Sequence, residues 1–413
     1  LVDEYPLHHQ DPSVTVTPAD ARRWLGIDLT VEQMADILRR LEFAVEVDGE
    51  SLTATVPDHR LDIDEGVIGK ADLMEEVARI YGYENIPETL MEDALPPQRN
   101  NPSLDTEERI RDILASLGMQ EIINYRMTAP EREQRLLPPD VPADDRPYIE
   151  LANPMAPDRA KLRKSVLASV LEIVEANTRI RPHIAVFEIG PIFLSSESGS
   201  LPDEFTRLSL ALAGPRELPT WQGADDTAMD FYDLKGVVET LLDGLHIQGA
   251  RYELCENPIY HPGKCARVML GDKQLGVIGE LHPLVQEQYN FGAPVQAGDF
   301  YLETILEVIP ERYEVSDVAA YPPVLEDLAV VVDETLPAVQ VEELILQTGG
   351  KLVTGVQLFD VYRGEQIGKG KKSLAYSITY QDPDRTLTDK EVAKQRAKIV
   401  RRLENELNAK LRM

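Results

Sequence analysis

The sequence has 413 residues, 43% of them hydrophobic, and a formal net charge of −30, which is ample for two or three well-filled cores. No apolar run approaches the length of a membrane span, and the N-terminus "LVDEYPLHHQ" lacks the basic and apolar regions of a signal peptide, so no membrane role is expected. Two cysteines, Cys255 and Cys265, are too few for a disulfide framework, which makes the cytoplasm the default compartment, and a zinc site with the intervening His261 is disfavoured.

Residues 1–95 carry 7 basic and 22 acidic side chains, so nucleic acid should avoid this end. Thr17 and Pro18 open a helix as N-cap and first helical residue, and Gly26 closes it. Thr30 and Gln33 form a capping-box pattern ahead of a second helix with Met34, Ile37, Leu38 and Leu41 on one face. "FAVEVDGESLTATV" alternates around an Asp48-Gly49 turn, the signature of a hairpin. Helix, helix, hairpin predicts a winged-helix-like domain, used for protein contact given its acidity. In "ADLMEEVARIYGYENIP", Asp72, Glu75 and Glu76 fall at i, i+3 and i+4, one helical face on which like charges repel. A plain reading pairs Glu75 with Arg79 and sets Asp72 at the helix start. A cation is the other way to neutralise the cluster.

A Pro-rich linker, "PETLMEDALPPQRNNPS", leads into residues 96–318. "DTEERIRDILASLGMQEIINYRM" predicts a helix ending at Gly118 and then a strand. "SVLASVLEIVEANTRI" and "FYDLKGVVETLLDGL" predict helices, "HIAVFEIGPIF" a strand, and "ARVML-GDKQ-LGVIGEL" a hairpin turning at Gly271-Asp272. Helices interleaved with antiparallel hairpins favour an α+β domain over a doubly wound sheet. Residues 319–413 hold 14 basic and 14 acidic side chains, so the charge excess lies wholly outside them. Their predicted order is strand (328–332), helix (339–348), strand (352–362), strand (373–380), helix from Thr388 and a final strand, the βαββαβ ferredoxin-like pattern.

Six blocks, "PDHRLDI...DLMEEVARIYGYENIP", "LANPMAPDRAKLRKSVLASVLEIV...FEIGPIF", "DFYDLKGVVETLL", "HPGKCARV...GVIGELHP", "YPPVLEDLAVVV" and "LFDVYRGEQIGKGKKSLAYSITYQDPDRTLTDKEV", together resemble the β subunit of bacterial-type phenylalanine tRNA ligase, from about Pro6 to Arg412. The resemblance implies an α+β multidomain chain: a helical magnesium-site domain (1–95), an antiparallel class II synthetase catalytic-like domain (96–318) and a ferredoxin-fold anticodon-binding domain (319–413). The resemblance begins after the family's N-terminal tRNA-binding and editing modules and the first residue is not Met, so a fragment or processed chain is expected.

The resemblance further implies Mg²⁺ ligands at Asp62, Asp72, Glu75 and Glu76, in a site shared with an α subunit. Carboxylate oxygens suit that ion. Asp62 and Asp72 lie ten residues apart where the family has six, so "DEGVIG" carries about four extra residues. The region "YNFGAPVQAGDFYLETILEV" contains none of the arginines that grip ATP phosphates, and the FEIG strand offers Glu188 without a preceding arginine, so no catalytic residue is expected. Lys161, Arg163 and Lys164 read as surface or interface charges. RNA contact is assigned to a hairpin bearing Tyr362, Arg363, Lys369, Lys371 and Lys372, whereas the basic face of the last helix (Lys394, Lys398, Arg401, Arg402) reads as solvated surface. Glu326 stands where the family commonly has arginine, which puts one RNA contact or structural ion pair in doubt. The implied assembly is an (αβ)₂ heterotetramer in which the α subunit uses ATP to activate phenylalanine and tRNA(Phe) is bound. The rivals are a self-sufficient adenylate-forming enzyme, disfavoured by the missing arginines, and a free-standing RNA-binding regulator derived from the synthetase.

Overall fold

Thr17 and Thr30 each accept a hydrogen bond from the third residue of a helix, whose side chain, Asp20 or Gln33, returns one to the capping backbone. Each such box contributes about 1 kcal/mol and fixes where a helix begins. The computed structural model describes residues 2, 4, 10–89, 100–196, 201–313, 315 and 317–412. The expected boundary at 95/96 and most of the Pro-rich linker lie outside them. The chain divides into two units, 1–100 and 101–413.

In the first unit, β1 (Ser13–Val16), α1 (Pro18–Leu25), α2 (Val31–Arg40), β2 (Ala44–Asp48), β3 (Ser51–Thr55) and α3 (Gly66–Tyr81) follow in order. The sheet order is β1-β3-β2, all antiparallel. Val14, Val16, Met34, Leu38, Leu52, Leu73 and Met74 form its core. Gly69 is required: a Cβ there would collide with the Asp64 carbonyl oxygen and stand 2.7 Å from Val14 Cγ2.

The second unit opens with α4 (Pro102–Ser116), β4 (Gln120–Glu121), β5 (Met127–Thr128), α5 (Pro130–Gln134), β6 (Lys161–Leu162) and α6 (Val166–Thr178). Then come β7 (Ile184–Leu194), β8 (Asp203–Ala213), α7 (Phe231–Gly244), β9 (Arg251–Leu254), β10 (Tyr260–Leu270), β11 (Lys273–Leu281), α8 (Pro283–Gln288), β12 (Val295–Tyr301) and α9 (Leu302–Val308). Seven strands form one sheet in the order β4-β7-β8-β12-β11-β10-β9. The β4–β7 pairing is parallel and all the others antiparallel. Alternation along the strands divides the apolar side chains between two layers. Phe187, Leu208, Leu210 and Ile278 pack with α4, α7 and α9, while Val186, Ala211, Cys265 and Ala297 pack with α6 and α8.

The final segment runs β13 (Val324–Asp333), α10 (Ala338–Gly349), β14 (Val353–Tyr362), β15 (Lys371–Tyr380), α11 (Asp389–Leu407) and β16 (Lys410–Leu411). Its sheet order is β14-β15-β13-β16, the ferredoxin-like arrangement, with the expected last strand in place. Leu328, Val330, Val332, Leu374, Tyr376 and Ile378 pack with the helices through Val341, Ile345, Val392, Ile399 and Leu403. Among the described residues no helix is long and apolar enough to cross a membrane.

Candidate functional site

α3 starts at Gly66, so the extra residues of "DEGVIG" are spent on the turn before the helix and on its first turn. Asp72 therefore sits in the second turn rather than at the helix start, which corrects the capping role expected of it. The expected Glu75–Arg79 pair is also replaced. Arg79 bonds to Glu76, three residues back, while Glu75 is exposed. Glu76 is 6% exposed, and its other oxygen, Oε1, lies 3.0 Å from Arg60 Nη1. The same guanidinium grips Asp62 through both oxygens, Nε to Oδ1 at 2.9 Å and Nη2 to Oδ2 at 2.7 Å. Hydrogen bonding from Arg60 lowers the Asp62 carboxyl to about 2. Asp72 Oδ2 is buried and has no hydrogen-bond partner.

These residues supply donors of the right chemistry for a divalent cation, but as folded they do not fit one. Arg60 already stands between Asp62 and Glu76, and among the described residues no three Asp, Glu, His or Cys side chains converge on a common point. Asp72 and Glu75, which enter no ion pair among the described residues, are the two whose oxygens remain available.

The ferredoxin-like sheet has one face turned away from α10 and α11. Its register puts Tyr362, Ser373, Val331 and Lys410 in one cross-strand row, followed by Asp360, Ala375 and Ala329, and then Gln357, Ser377 and Asp327. Small side chains therefore floor the middle of this face at Ala375 and Ser377, while Ser373, in the row of Tyr362, is already covered. Tyr362 is at its rim, with the Arg412 guanidinium 4.5 Å from the ring centroid. One face of the Tyr362 ring is thus covered, at a cost of about 0.5–1 kcal/mol to uncover. Arg363 pairs with Glu334 at 2.9 Å and Lys371 with Asp333 at 2.5 Å, whereas Lys369 and Lys372 make no ion pair among the described residues. Lys410 and Arg412 were not anticipated from the sequence. Their signal was the alternation of "KLRM" after α11, which puts two cations on one face of a final strand. Glu326 lies 3.6 Å from Arg396 on α11, so this chain has an ion pair at the position in doubt.

Just after β6 and packed against β7, Arg163 is 1% exposed, not a surface charge as its neighbours Lys161 and Lys164 suggest. Its Nη1 lies 2.7 Å from Glu188 Oε1 and its Nε donates to the Pro191 carbonyl at 3.0 Å. Asn124 Nδ2 satisfies Glu188 Oε2 at 2.6 Å. Gly190 makes room, since a Cβ there would strike the guanidinium. On the neighbouring strand β8, Arg207 pairs with Asp299, whose Oδ1 also accepts from Ser209 Oγ at 2.7 Å, and stacks 3.7 Å over Tyr301. Both buried arginines are thereby committed to internal carboxylates.

Residues 14–83 match the tRNA synthetase B5 domain, 86–302 the phenylalanyl tRNA synthetase beta chain CLM domain, and 319–412 the ferredoxin-fold anticodon-binding domain. The chain is 33% identical to the phenylalanine–tRNA ligase beta subunit of Clostridium tetani over 416 residues, covering 100% of itself and 50% of that protein. It is 36% identical to the one from Moorella thermoacetica over 419 residues and 33% identical to the one from Bacillus subtilis over 414, again covering 100% of itself and 50% of each. It thus spans about half the length of these curated relatives. Pyrrolysyl-tRNA synthetase from Desulfitobacterium hafniense superposes with a TM-score of 0.39 at 18% identity, over 50% of this chain and 68% of that one. With the beta-chain CLM family matched over more than half its length and B5 and anticodon-binding domains in order on either side, this chain belongs to the phenylalanine–tRNA ligase beta subunit family.

Proposed function

We propose that the chain serves as the non-catalytic part of a phenylalanine tRNA ligase, scaffolding an α subunit that activates phenylalanine with ATP in an (αβ)₂ heterotetramer and binding the anticodon region of tRNA(Phe) through residues 319–413. A cytoplasmic location goes with that work. The finer fold assignments, a winged-helix-like first domain and a class II catalytic-like second one, belong to the same proposal. The observation that carries the non-catalytic reading is the commitment of Arg163 and Arg207. A phosphate-binding arginine has to present free donors to its ligand, and these two present theirs to Glu188, Pro191, Asp299 and the Tyr301 ring. The purified chain is therefore expected to show no phenylalanine-dependent exchange between ATP and pyrophosphate, and adding a cognate α subunit should restore it. Exchange by a preparation free of α subunit would overturn the reading.

For the acidic helix, Mg²⁺ at Asp62, Asp72, Glu75 and Glu76 is part of the same proposal and requires Arg60 to release Asp62 and Glu76 and Arg79 to release Glu76. The exposed Leu61, Val67 and Ile68 in the same segment support a subunit contact there. The geometry separates the two roles. Asp72→Asn and Glu75→Gln should weaken α association in magnesium without lowering the chain's melting, because neither residue holds an internal ion pair and the buried Asp72 Oδ2 has no partner to lose. Glu76→Gln should lower melting whether or not magnesium is present, by about 1.5–3 kcal/mol for the lost charge-assisted bonds. If all three leave assembly unchanged across a magnesium titration, the cluster is structural and the metal role fails.

A further inference from the structure

Cys255 and Cys265 come together at the edge of the seven-stranded sheet. β9 pairs with β10 in a register that sets Leu254 opposite Ala266, so the next position along puts the two cysteines face to face. The Cys255 N–H donates to the Cys265 carbonyl at 3.4 Å, and the two Sγ atoms lie 3.1 Å apart. That is inside the contact distance of unbonded sulfurs and about 1 Å from a disulfide bond length. Both are free thiols. Cys265 is buried and Cys255 half-buried, and Cys265 also lines a cavity of about 430 Å³ with Leu254, Phe231 and Tyr252.

We propose that Cys255 and Cys265 form a site of reversible oxidation, closed to a disulfide by a hydroperoxide and reopened by a dithiol. Three features support it. The sulfurs need only a small approach, being already in contact. β9 is an edge strand held by β10 alone, so it can shift by the distance required more easily than a central strand. The exposures are unequal in the way a two-step reaction needs: Cys255 meets the oxidant, and Cys265 resolves the product. Burial pushes the Cys265 thiol well up and keeps it protonated, which leaves Cys255 as the sulfur that meets the peroxide.

The chemistry balances with the peroxide as sole oxidant. The Cys255 thiolate attacks one peroxide oxygen, the O–O bond breaks, and with one proton taken up the products are Cys255 sulfenic acid and water. Cys265 sulfur then attacks the sulfenic sulfur, the S–O bond breaks, and the hydroxide leaves with the Cys265 proton as a second water. Two thiols lose two electrons and two protons in all, and one hydrogen peroxide becomes two waters. The link would staple the free edge of the sheet by closing a short loop. In a reducing compartment the pair rests as dithiol, so the staple forms only under oxidant.

The test uses the full chain with hydrogen peroxide, quenching by thiol alkylation after unfolding and peptide mass mapping. The expected result is an intramolecular Cys255–Cys265 crosslink, lighter than the dithiol by about 2 Da. Alkylatable thiols should fall from two to none, and dithiothreitol should restore both. The closed form should melt higher than the open one, a difference absent from Cys255→Ser. In that variant, which keeps the buried thiol in place, Cys265 should stay alkylatable at the peroxide dose that closes the parent. Both thiols remaining alkylatable in the parent, Cys255 passing to sulfinic acid beside a free Cys265, or disulfide-linked dimers would each overturn the proposal.

Discussion

Replacing Arg163 by Met is expected to destabilise the 101–413 unit by about 3 to 5 kcal/mol, the usual consequence of removing one partner from a buried ion pair. The substitution removes the bonds to Glu188 and Pro191 and leaves a carboxylate that is 2% exposed with only Asn124 to answer it. The cost is mostly that of the stranded charge, so it should shrink when the charge goes too. Arg163→Met combined with Glu188→Gln should recover a large part of the loss, giving a coupling of at least about 1 kcal/mol in a double-mutant cycle. Urea denaturation of the four proteins, followed by far-ultraviolet circular dichroism, measures it. A single Arg163→Met variant within about 1 kcal/mol of the parent would mean that the guanidinium is not structural. Its commitment to Glu188 would then no longer count against a phosphate-binding role.

That pair also marks a limit of what the sequence makes legible. Capping residues Thr17 and Thr30, the Asp48-Gly49 turn and the whole ferredoxin order can be read because each is a local signal a few residues long. Arg163 sits in "KLRK", a run that looks solvated, and its burial depends on β7 presenting Glu188 from 25 residues away. Nothing nearby in sequence announces that. Strands β8, β9 and β12 were not anticipated either, although "RLSLALA" in β8 carries buried-strand character, and without β9 the two cysteines had no reason to meet. The start of α3 is obscured for another reason. Gly66 and Gly69 look like breakers, yet Gly69 is helical because the helix packs so tightly on Asp64 and Val14 that only glycine fits. At the acidic cluster, residue types and helical spacing are readable, but Arg60 reaching across from the preceding turn is not.

The ferredoxin-like module yields the second large effect, on RNA rather than on stability. Its net charge of zero lets it bind phosphate locally despite −30 over the chain, because screening limits exposed charges to roughly 8–10 Å at physiological salt. Replacing Lys369, Lys371 and Lys372 together by Ala should weaken tRNA binding and flatten its dependence on salt. The slope should fall by up to about 0.9 for each duplex phosphate that is no longer neutralised, or about 0.7 on a single strand. The three should not contribute alike. Lys369 has no ion pair among the described residues to give up, while Lys371 must first leave Asp333 and Lys372 stands opposite Val332 on the helix-packed face, so Lys369→Ala should account for the largest share of the change. Tyr362→Ala should behave differently, removing about 1 to 3 kcal/mol of base stacking with little change in slope. Arg412 complicates that in a measurable way. Because its guanidinium covers one ring face, Arg412→Ala frees that face for a base while deleting a cation, so it should lower the salt slope by more than it lowers affinity. Salt titrations of tRNA binding by the full chain with a cognate α subunit test the set. If the triple lysine variant binds as the parent does at every salt concentration, the hairpin does not touch the RNA. The row of Tyr362, Lys410 and Arg412 on the open face would then be the surface to follow, since those three share one side of the sheet whatever the hairpin does.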